Sequence, residues 1–156
     1  MVVASVNIFA YVIVNVIDYA YPKDQYHMST ISEPRAVSVR QENEVKQYGK
    51  EVSQDFPATI PLEHAVQILE SYSKDQNGQK QVTTVFASFQ RIKENIESYT
   101  SFLKKNNWAI VNTLDETNVA SVYASRENDE INITVTPNRG GDPLTHSVVS
   151  ISVLNK

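Results

Sequence analysis

Cysteine is absent from this chain of 156 residues, and glycine occurs only four times. Without cysteine the chain forms no disulfide, no thiolate metal site, no cysteine nucleophile and no lipid-modified cysteine. The glycines do not fall in a G-x-x-x-x-G-K-[ST] or G-x-G-x-x-G loop, so nucleotide binding has no support. The net charge is −4, and we therefore expect no nucleic-acid partner.

The N-terminal segment is the most apolar part of the sequence. Residues 2–21 contain one formal charge, Asp18, and Pro22 then ends any helix. Twenty helical residues span about 30 Å, the thickness of a bilayer's hydrocarbon core. A signal peptide would need a basic n-region, which is missing, and a buried core helix would be unusually apolar on all sides. We therefore predict a membrane-spanning helix over residues 1–22.

The polar residues of this predicted helix share one face. At 100° per residue they fall within an arc of about 80°. Polar groups are costly against lipid, so we expect this stripe to contact another protein or a second copy of the helix. The alternative is that the residues near the helix ends reach the polar interface by snorkelling. The stripe consists of the polar residues Asn7, Tyr11, Asn15 and Asp18 and the small residue Ala4.

A polar segment follows, and we predict a linker over residues 23–56. It is rich in Ser, Gln, Glu and Lys and is interrupted by Pro34, a composition typical of tethers. Lys23, Arg35 and Arg40 come after the apolar segment and no basic residue precedes it. The positive-inside rule therefore weakly favours a cytoplasmic location for the C-terminal domain.

The hydrophobic pattern becomes regular in residues 57–156, for which we predict an α+β domain. The predicted elements come in the order two strands, one amphipathic helix and four strands. An antiparallel sheet with the helix packed on one face accommodates this order. Hairpin signals stand at Asn77-Gly78 and Asn128-Asp129, and a turn at Asp115-Glu116. The predicted elements are strands 65–72 and 81–89, helix 90–106, and strands 108–114, 118–125, 130–136 and 146–154.

The helix and the strands predict a core. Apolar helix residues recur at spacings of three and four, and the last strand alternates between apolar and serine positions. We expect Ser150 and Ser152 to lie outside this core. We expect one apolar set to pack on the other: Ile92, Ile96, Tyr99, Phe102, Leu103 and Trp108 on Val66, Ile68, Val85, Ile110, Ile133 and Ile151.

Two motifs resemble a recurrent bacterial module. Residues 56–62 read FPATIPL, and after a hairpin residues 99–108 read YTSFLKKNNW. This pattern is similar to that of uncharacterised membrane-anchored or lipoprotein-like extracytoplasmic proteins, although Asn107 replaces the usual Gly and Glu63-His64 the usual Pro-Gly. The resemblance covers residues 55–155 and implies the α+β fold. It also implies an extracytoplasmic location, whereas the positive-inside rule favours a cytoplasmic one. It transfers no catalytic residue.

Residues that carry chemistry do not gather in the sequence. His27, His64 and His146 share no ligand spacing, no G-x-S-x-G elbow occurs, and the acidic residues near Glu127 lack calcium-loop spacing. We therefore expect no catalytic residue, no metal site and no cofactor. Asn132-Ile133-Thr134 is a formal glycosylation sequon on a predicted outward strand face, which makes Asn132 a candidate acceptor.

These observations favour a non-enzymatic binding or interaction module, anchored in the cell membrane by one helix and with its C-terminal domain outside the cytoplasm. Its expected partners are the membrane, through that helix, and a protein or a second copy. The alternative is a structural subunit of a membrane complex or pilin-like filament assembled through the same helix. The early glutamate of pilins is missing here, as is their longer continuous helix.

Overall fold

The structure is a computed structural model and describes residues 45–76, 78–140 and 142–155. The predicted membrane helix, its polar stripe and most of the linker lie outside the described residues. No helix within the described part is long and apolar enough to cross a membrane. The elements are β1 (Val45–Gln47), β2 (Gln67–Gln76), β3 (Gln79–Ser88), α1 (Ile92–Lys105), β4 (Ala109–Glu116), β5 (Val119–Arg126), β6 (Asp129–Pro137) and β7 (Ser147–Asn155).

The seven described strands form one antiparallel sheet in the order β1-β2-β3-β7-β6-β5-β4. The prediction of an antiparallel sheet with one helix on it is confirmed. The prediction had six strands, and the seventh is β1, which pairs with β2 and lies within the segment predicted as linker. Three residues without apolar alternation gave no strand signal.

The connections follow local turn chemistry. The β2–β3 hairpin turns between Gln76 and Gln79, as predicted, and Gly78 has φ +78°, a conformation that glycine adopts without steric cost. The β5–β6 turn lies at Glu127-Asn128, one residue before the predicted position, and Glu127 has φ +54°. The β4–β5 turn follows Glu116, two residues later than predicted.

The helix begins and ends with recognisable caps. The Arg91 backbone N–H donates to the Glu94 carboxylate (2.8 Å), which satisfies a donor that the first turn cannot. At the other end Asn107 has φ +61°, and the Trp108 N–H donates to the Leu103 carbonyl (2.9 Å). This is the hydrogen bond of a Schellman-type stop, and it confirms the predicted left-handed end at residues 106–107.

One hydrophobic core lies between the helix and the sheet. Leu103 is fully buried, and Tyr99 and Trp108 nearly so, in one cluster with side chains of β3, β5, β6 and β7. The helix contacts β4, β5 and β6, while Phe56 and Ile60 of the preceding loop belong to the same core. All predicted core residues except Val85 belong to the core or pack against its rim.

The prediction for Val85 is wrong. Val85 pairs with Ser150, and the neighbouring pair is Phe86 with Val149. Because successive side chains of a strand alternate, Phe86 faces the helix and Val85 the opposite side. The run QVTTVFASF has β-branched or aromatic residues at both parities, so its pattern did not reveal the core face.

The serines of β7 lie outside the core as predicted, on the face opposite the helix, but they are not exposed. Val149, Ile151 and Val153 face the core as predicted, but Ser150 and Ser152 are also buried. The Ser152 and Thr83 hydroxyls are hydrogen bonded at 2.9 Å. Cross-strand hydroxyl pairs of this kind stabilise adjacent strands, so the face opposite the helix is polar without being exposed at these positions.

Candidate functional site

The residues predicted from sequence as sites do not meet in the described structure. The stripe of Ala4, Asn7, Tyr11, Asn15 and Asp18 lies outside the described residues, as does His27. His64 and His146 are exposed. Asn132 lies in β6, an inner strand, with a half-buried side chain whose Nδ2 is 3.4 Å from the Thr134 Oγ1. Its role as a glycosylation acceptor stays a prediction.

A buried polar cluster lies at the start of the helix. The Asn95 side chain donates to the Ser88 hydroxyl (2.9 Å) and to the Ser147 hydroxyl (3.0 Å). The Ser147 hydroxyl in turn donates to the Gln90 carbonyl (2.7 Å), and that of Ser88 to the Glu63 carboxylate (2.5 Å). These bonds tie the loop before β2, the end of β3, the first turn of α1 and the start of β7 together.

The burial and the contacts of this cluster indicate a structural role. A nucleophilic serine needs an accessible hydroxyl and a free base beside it. Ser88 is fully buried, and its oxygen already accepts from the Gln90 N–H (3.1 Å) and from Asn95. Ser147 is fully buried as well. Because these buried groups satisfy one another, removing one would leave the others without partners in a water-poor site.

Tyr99 connects the middle of the helix to the same loop. Its hydroxyl donates to the Pro61 carbonyl (3.1 Å). Burial raises the pKa of Tyr99 well above 10, and the negative charge of Glu63 raises it further. Both causes disfavour the phenolate, so Tyr99 remains a hydrogen-bond donor over the whole physiological range.

The end of the helix presents a different arrangement. The Arg126 guanidinium lies over the Trp108 ring, 4.6 Å from its centroid. It also donates to the Asn106 carbonyl (3.4 Å) and lies 4.0 Å from the Asp129 carboxylate. These bonds fix the guanidinium against the core. An open recess lies beside it, lined by Asn106, Asn107, Ala109, Ser125, Arg126 and Glu127.

Strand β4 leads away from this recess along an edge of the sheet. Of its eight residues only Ile110 is partly covered, and Val111 and Leu114 expose 58% and 40% of their surfaces. A bulge at Val111 interrupts the pairing with β5 between Ile110 and Asn112. At this edge the Asn112 Oδ1 accepts a hydrogen bond from the Thr113 N–H (2.9 Å).

These features make β4 the candidate interaction site of the described unit. An edge strand presents backbone N–H and C=O groups that a further strand can bind, and exposed apolar side chains add affinity. The strand itself was predicted from sequence, but its place at the edge follows from the strand order, which local patterns do not encode. Among the described residues no group of three or more histidine, aspartate or glutamate side chains could hold a metal ion.

Comparison with known proteins gives one match. The sequence model of a family described as START domain-like matches residues 68–143, slightly less than half of the chain. That range runs from β2 through β6 and includes the helix and the β4 edge. No curated protein and no solved structure matches the chain significantly. The chain is thus similar to a START domain-like family, and the match carries no information on membrane anchoring.

Proposed function

We propose that this protein is a non-enzymatic binding module held at a membrane by residues 1–22, with its folded domain outside the cytoplasm and with β4 as the edge that binds a protein partner. The observation that carries the proposal is the exposure of β4. Monomeric soluble domains usually shorten, charge or cover their edge strands. Strand β4 has a bulge at Val111 and ends in Asp115 and Glu116, but it is eight residues long, carries no charge before Asp115 and exposes Val111 and Leu114.

The polar side chains that could serve catalysis support the same proposal. The closest set, Glu63, Ser88, Asn95 and Ser147, is buried or half-buried and bonded internally. Its bonds join four segments of the fold, which is a sufficient reason for those residue types. The anchoring part of the proposal is supported by sequence alone, through the single formal charge in residues 2–21.

The anchor is tested on the full chain expressed in bacterial cells. We expect it to sediment with membranes and to resist alkaline carbonate extraction. Protease added outside spheroplasts should reach the folded domain. Recovery in the soluble fraction would contradict the anchor, and protection from external protease would contradict the extracytoplasmic orientation.

The binding edge is tested by chemical crosslinking of intact cells. The Leu114→Lys variant places a charge on the edge and should lose the crosslinked species that the unmodified chain forms. Leu144→Lys is the matched control, because Leu144 is more exposed than Leu114, at 68%, and lies in the β6–β7 loop. Equal crosslinking of both variants would contradict a role for β4.

A further inference from the structure

We propose that the open recess at the end of helix α1 is a binding site for a neutral sugar chain, with one sugar ring in the recess and the next ring against Tyr123. Such binding is separate from the protein-binding role proposed for β4, and it requires neither that role nor the membrane anchor.

The recess has the dimensions of a small-molecule site. Its volume is about 540 Å³, and ligand pockets in proteins commonly measure about 300–1,000 Å³. It is open to solvent and its lining is mostly polar, whereas sites for small apolar molecules are enclosed and mostly apolar. These properties suit one unit of a longer, water-soluble chain whose other units extend into solvent.

The Arg126 guanidinium is held in place without a ligand. It lies over the Trp108 ring, donates to the Asn106 carbonyl (3.4 Å) and lies 4.0 Å from the Asp129 carboxylate. A guanidinium has five N–H donors, which is more than these contacts use, and 37% of the Arg126 side chain is exposed. Arg126 can therefore donate to a ligand oxygen at a small cost in side-chain entropy, because its position is already fixed.

Two amide side chains and a hydroxyl line the recess beside Arg126. The Asn106 Nδ2 donates to the Phe102 carbonyl (2.8 Å), which fixes that amide, and Asn107 is held by the left-handed helix end at φ +61°. Ser125 contributes the hydroxyl. Amides and hydroxyls both donate and accept hydrogen bonds. Neighbouring hydroxyl groups of a sugar also do both, so they match a site in which donors and acceptors lie side by side.

The charges around the recess are of both signs. Arg126 is positive, as are Lys104 and Lys105 in the last turn of the helix. Glu127 lines the recess and Asp129 lies beside Arg126, and both are negative. An anionic ligand would meet these carboxylates and a cationic ligand the basic side chains, and each like-charge approach costs affinity. A neutral polar ligand meets neither cost, so the balance of charge favours a neutral sugar.

An aromatic ring lies next to the recess on strand β5. Tyr123 comes two residues before Ser125, about 7 Å along the strand, so both side chains point to the face opposite the helix. The Tyr123 side chain is half-buried, and its hydroxyl is hydrogen bonded to the Glu130 carboxylate. The exposed part of such a ring presents an apolar surface to the C–H groups of a sugar. A chain bound in the recess can therefore place its next ring on Tyr123.

Trp108 reports on the recess, because it is the only tryptophan of the chain and Arg126 covers its ring. The full-length chain, kept in a polyoxyethylene detergent that has no sugar headgroup, is titrated with neutral tetrasaccharides while tryptophan fluorescence is recorded. The probes are maltotetraose, cellotetraose and tetra-N-acetylchitotetraose. At least one should change the fluorescence in a saturable way at millimolar concentration or below. No saturable change with any of them overturns the inference.

Charged tetrasaccharides test whether the recess selects a neutral ligand. Tetragalacturonic acid is anionic at neutral pH, and the tetramer of glucosamine is cationic. Each should bind more weakly than the best neutral tetrasaccharide, by about fivefold, because each brings a charge towards a like charge. Equal or tighter binding of either one would assign the recess to an ionic ligand and overturn the neutral assignment.

Asn107→Gly removes one amide from the recess and keeps the helix end, because glycine adopts a positive φ without steric cost. The lost hydrogen bond should weaken binding of the best neutral tetrasaccharide about fivefold, with little change in urea denaturation. Asn118→Gly is the matched control, since Asn118 is an exposed turn residue at the other end of β5, and it should bind like the unmodified chain. Unchanged binding by Asn107→Gly overturns the inference.

Tyr72 is the matched control for Tyr123. Both are half-buried, and both lie in one row of the sheet that runs through Thr83, Ser152 and Asn132, four strand spacings or about 19 Å apart. Tyr123→Leu should weaken binding of the same tetrasaccharide about fivefold, and Tyr72→Leu should not. Equal effects of the two substitutions, with both variants folded by circular dichroism, overturn the inference. If Tyr123→Leu does not fold, the result for Asn107→Gly decides.

Discussion

The two ends of helix α1 differ in how their polar side chains are arranged. At its start, side-chain amide and hydroxyl groups of Asn95, Ser88 and Ser147 are buried and bonded to one another. At its end, Arg126 covers Trp108 while a recess beside it remains open. Both arrangements also bind backbone groups beside the helix: the Ser88 hydroxyl accepts from the Gln90 N–H before it, and Arg126 donates to the Asn106 carbonyl after it. The difference indicates that polar residues at the start determine the fold, whereas those at the end remain accessible next to β4.

The largest expected effect comes from Asn95→Ala. The substitution leaves the hydroxyls of Ser88 and Ser147 each short of a donor in a buried site, which should lower the free energy of unfolding by about 2–3 kcal/mol. Urea denaturation followed by circular dichroism measures it. Asn118→Ala, at an exposed turn position, is the control and should stay within about 0.5 kcal/mol. Similar losses for the two variants would remove the distinction between the buried cluster and the surface.

A second prediction concerns pH and Tyr99. Its pKa in the folded state is raised above the unfolded value of about 10. The folded chain therefore retains the proton longer, so this stabilising contribution is complete below pH 10 and is lost as the pH rises above it. Tyr99→Phe removes the titration and the bond to the Pro61 carbonyl. We expect the variant to be less stable at pH 8 and to approach the unmodified protein by pH 11.

The control for that measurement is Tyr48→Phe. Hydrogen bonds lower the pKa of Tyr48, the larger effect coming from Ser53 and the smaller from Ser73. The contribution of Tyr48 to the free energy of unfolding therefore does not decline above pH 10 as that of Tyr99 does. Convergence of the unfolding curves with Tyr48→Phe as well would show that the alkaline change does not originate at Tyr99.

The smallest effect is expected at the helix end, from Arg126→Met. Methionine keeps much of the apolar stem but removes the charge over Trp108, and partly exposed cation–π contacts contribute about 0.5–1 kcal/mol. Arg126→Lys should lose less than Arg126→Met. The measurement is again urea denaturation, with Arg139→Met as the exposed control. A loss as large as that of Asn95→Ala would show that the two ends are equally integral to the fold.

The sequence predicted those parts of the fold that local periodicity encodes. Strand β6, where Ile131, Ile133 and Val135 alternate with polar residues, was placed within one residue at each end. Val85 was assigned to the wrong face because its strand is β-branched on both faces. The role of Asn95 could not be predicted, because its partners lie 7 and 52 residues away. The edge position of β4 likewise depends on strand order, which is a property of the whole chain.

The pairing of β1 determines where the folded unit is joined to the preceding chain. Following the register across the sheet, Val45 lies in one row with Lys74, Gln81, Leu154, Glu130, Ser125 and Ala109. The chain therefore joins the sheet at the end where β4 begins. Because β1 and β4 are the two outer strands of the described sheet, Val45 and Ala109 are the two corners of one end of it, separated by six strand spacings or about 29 Å.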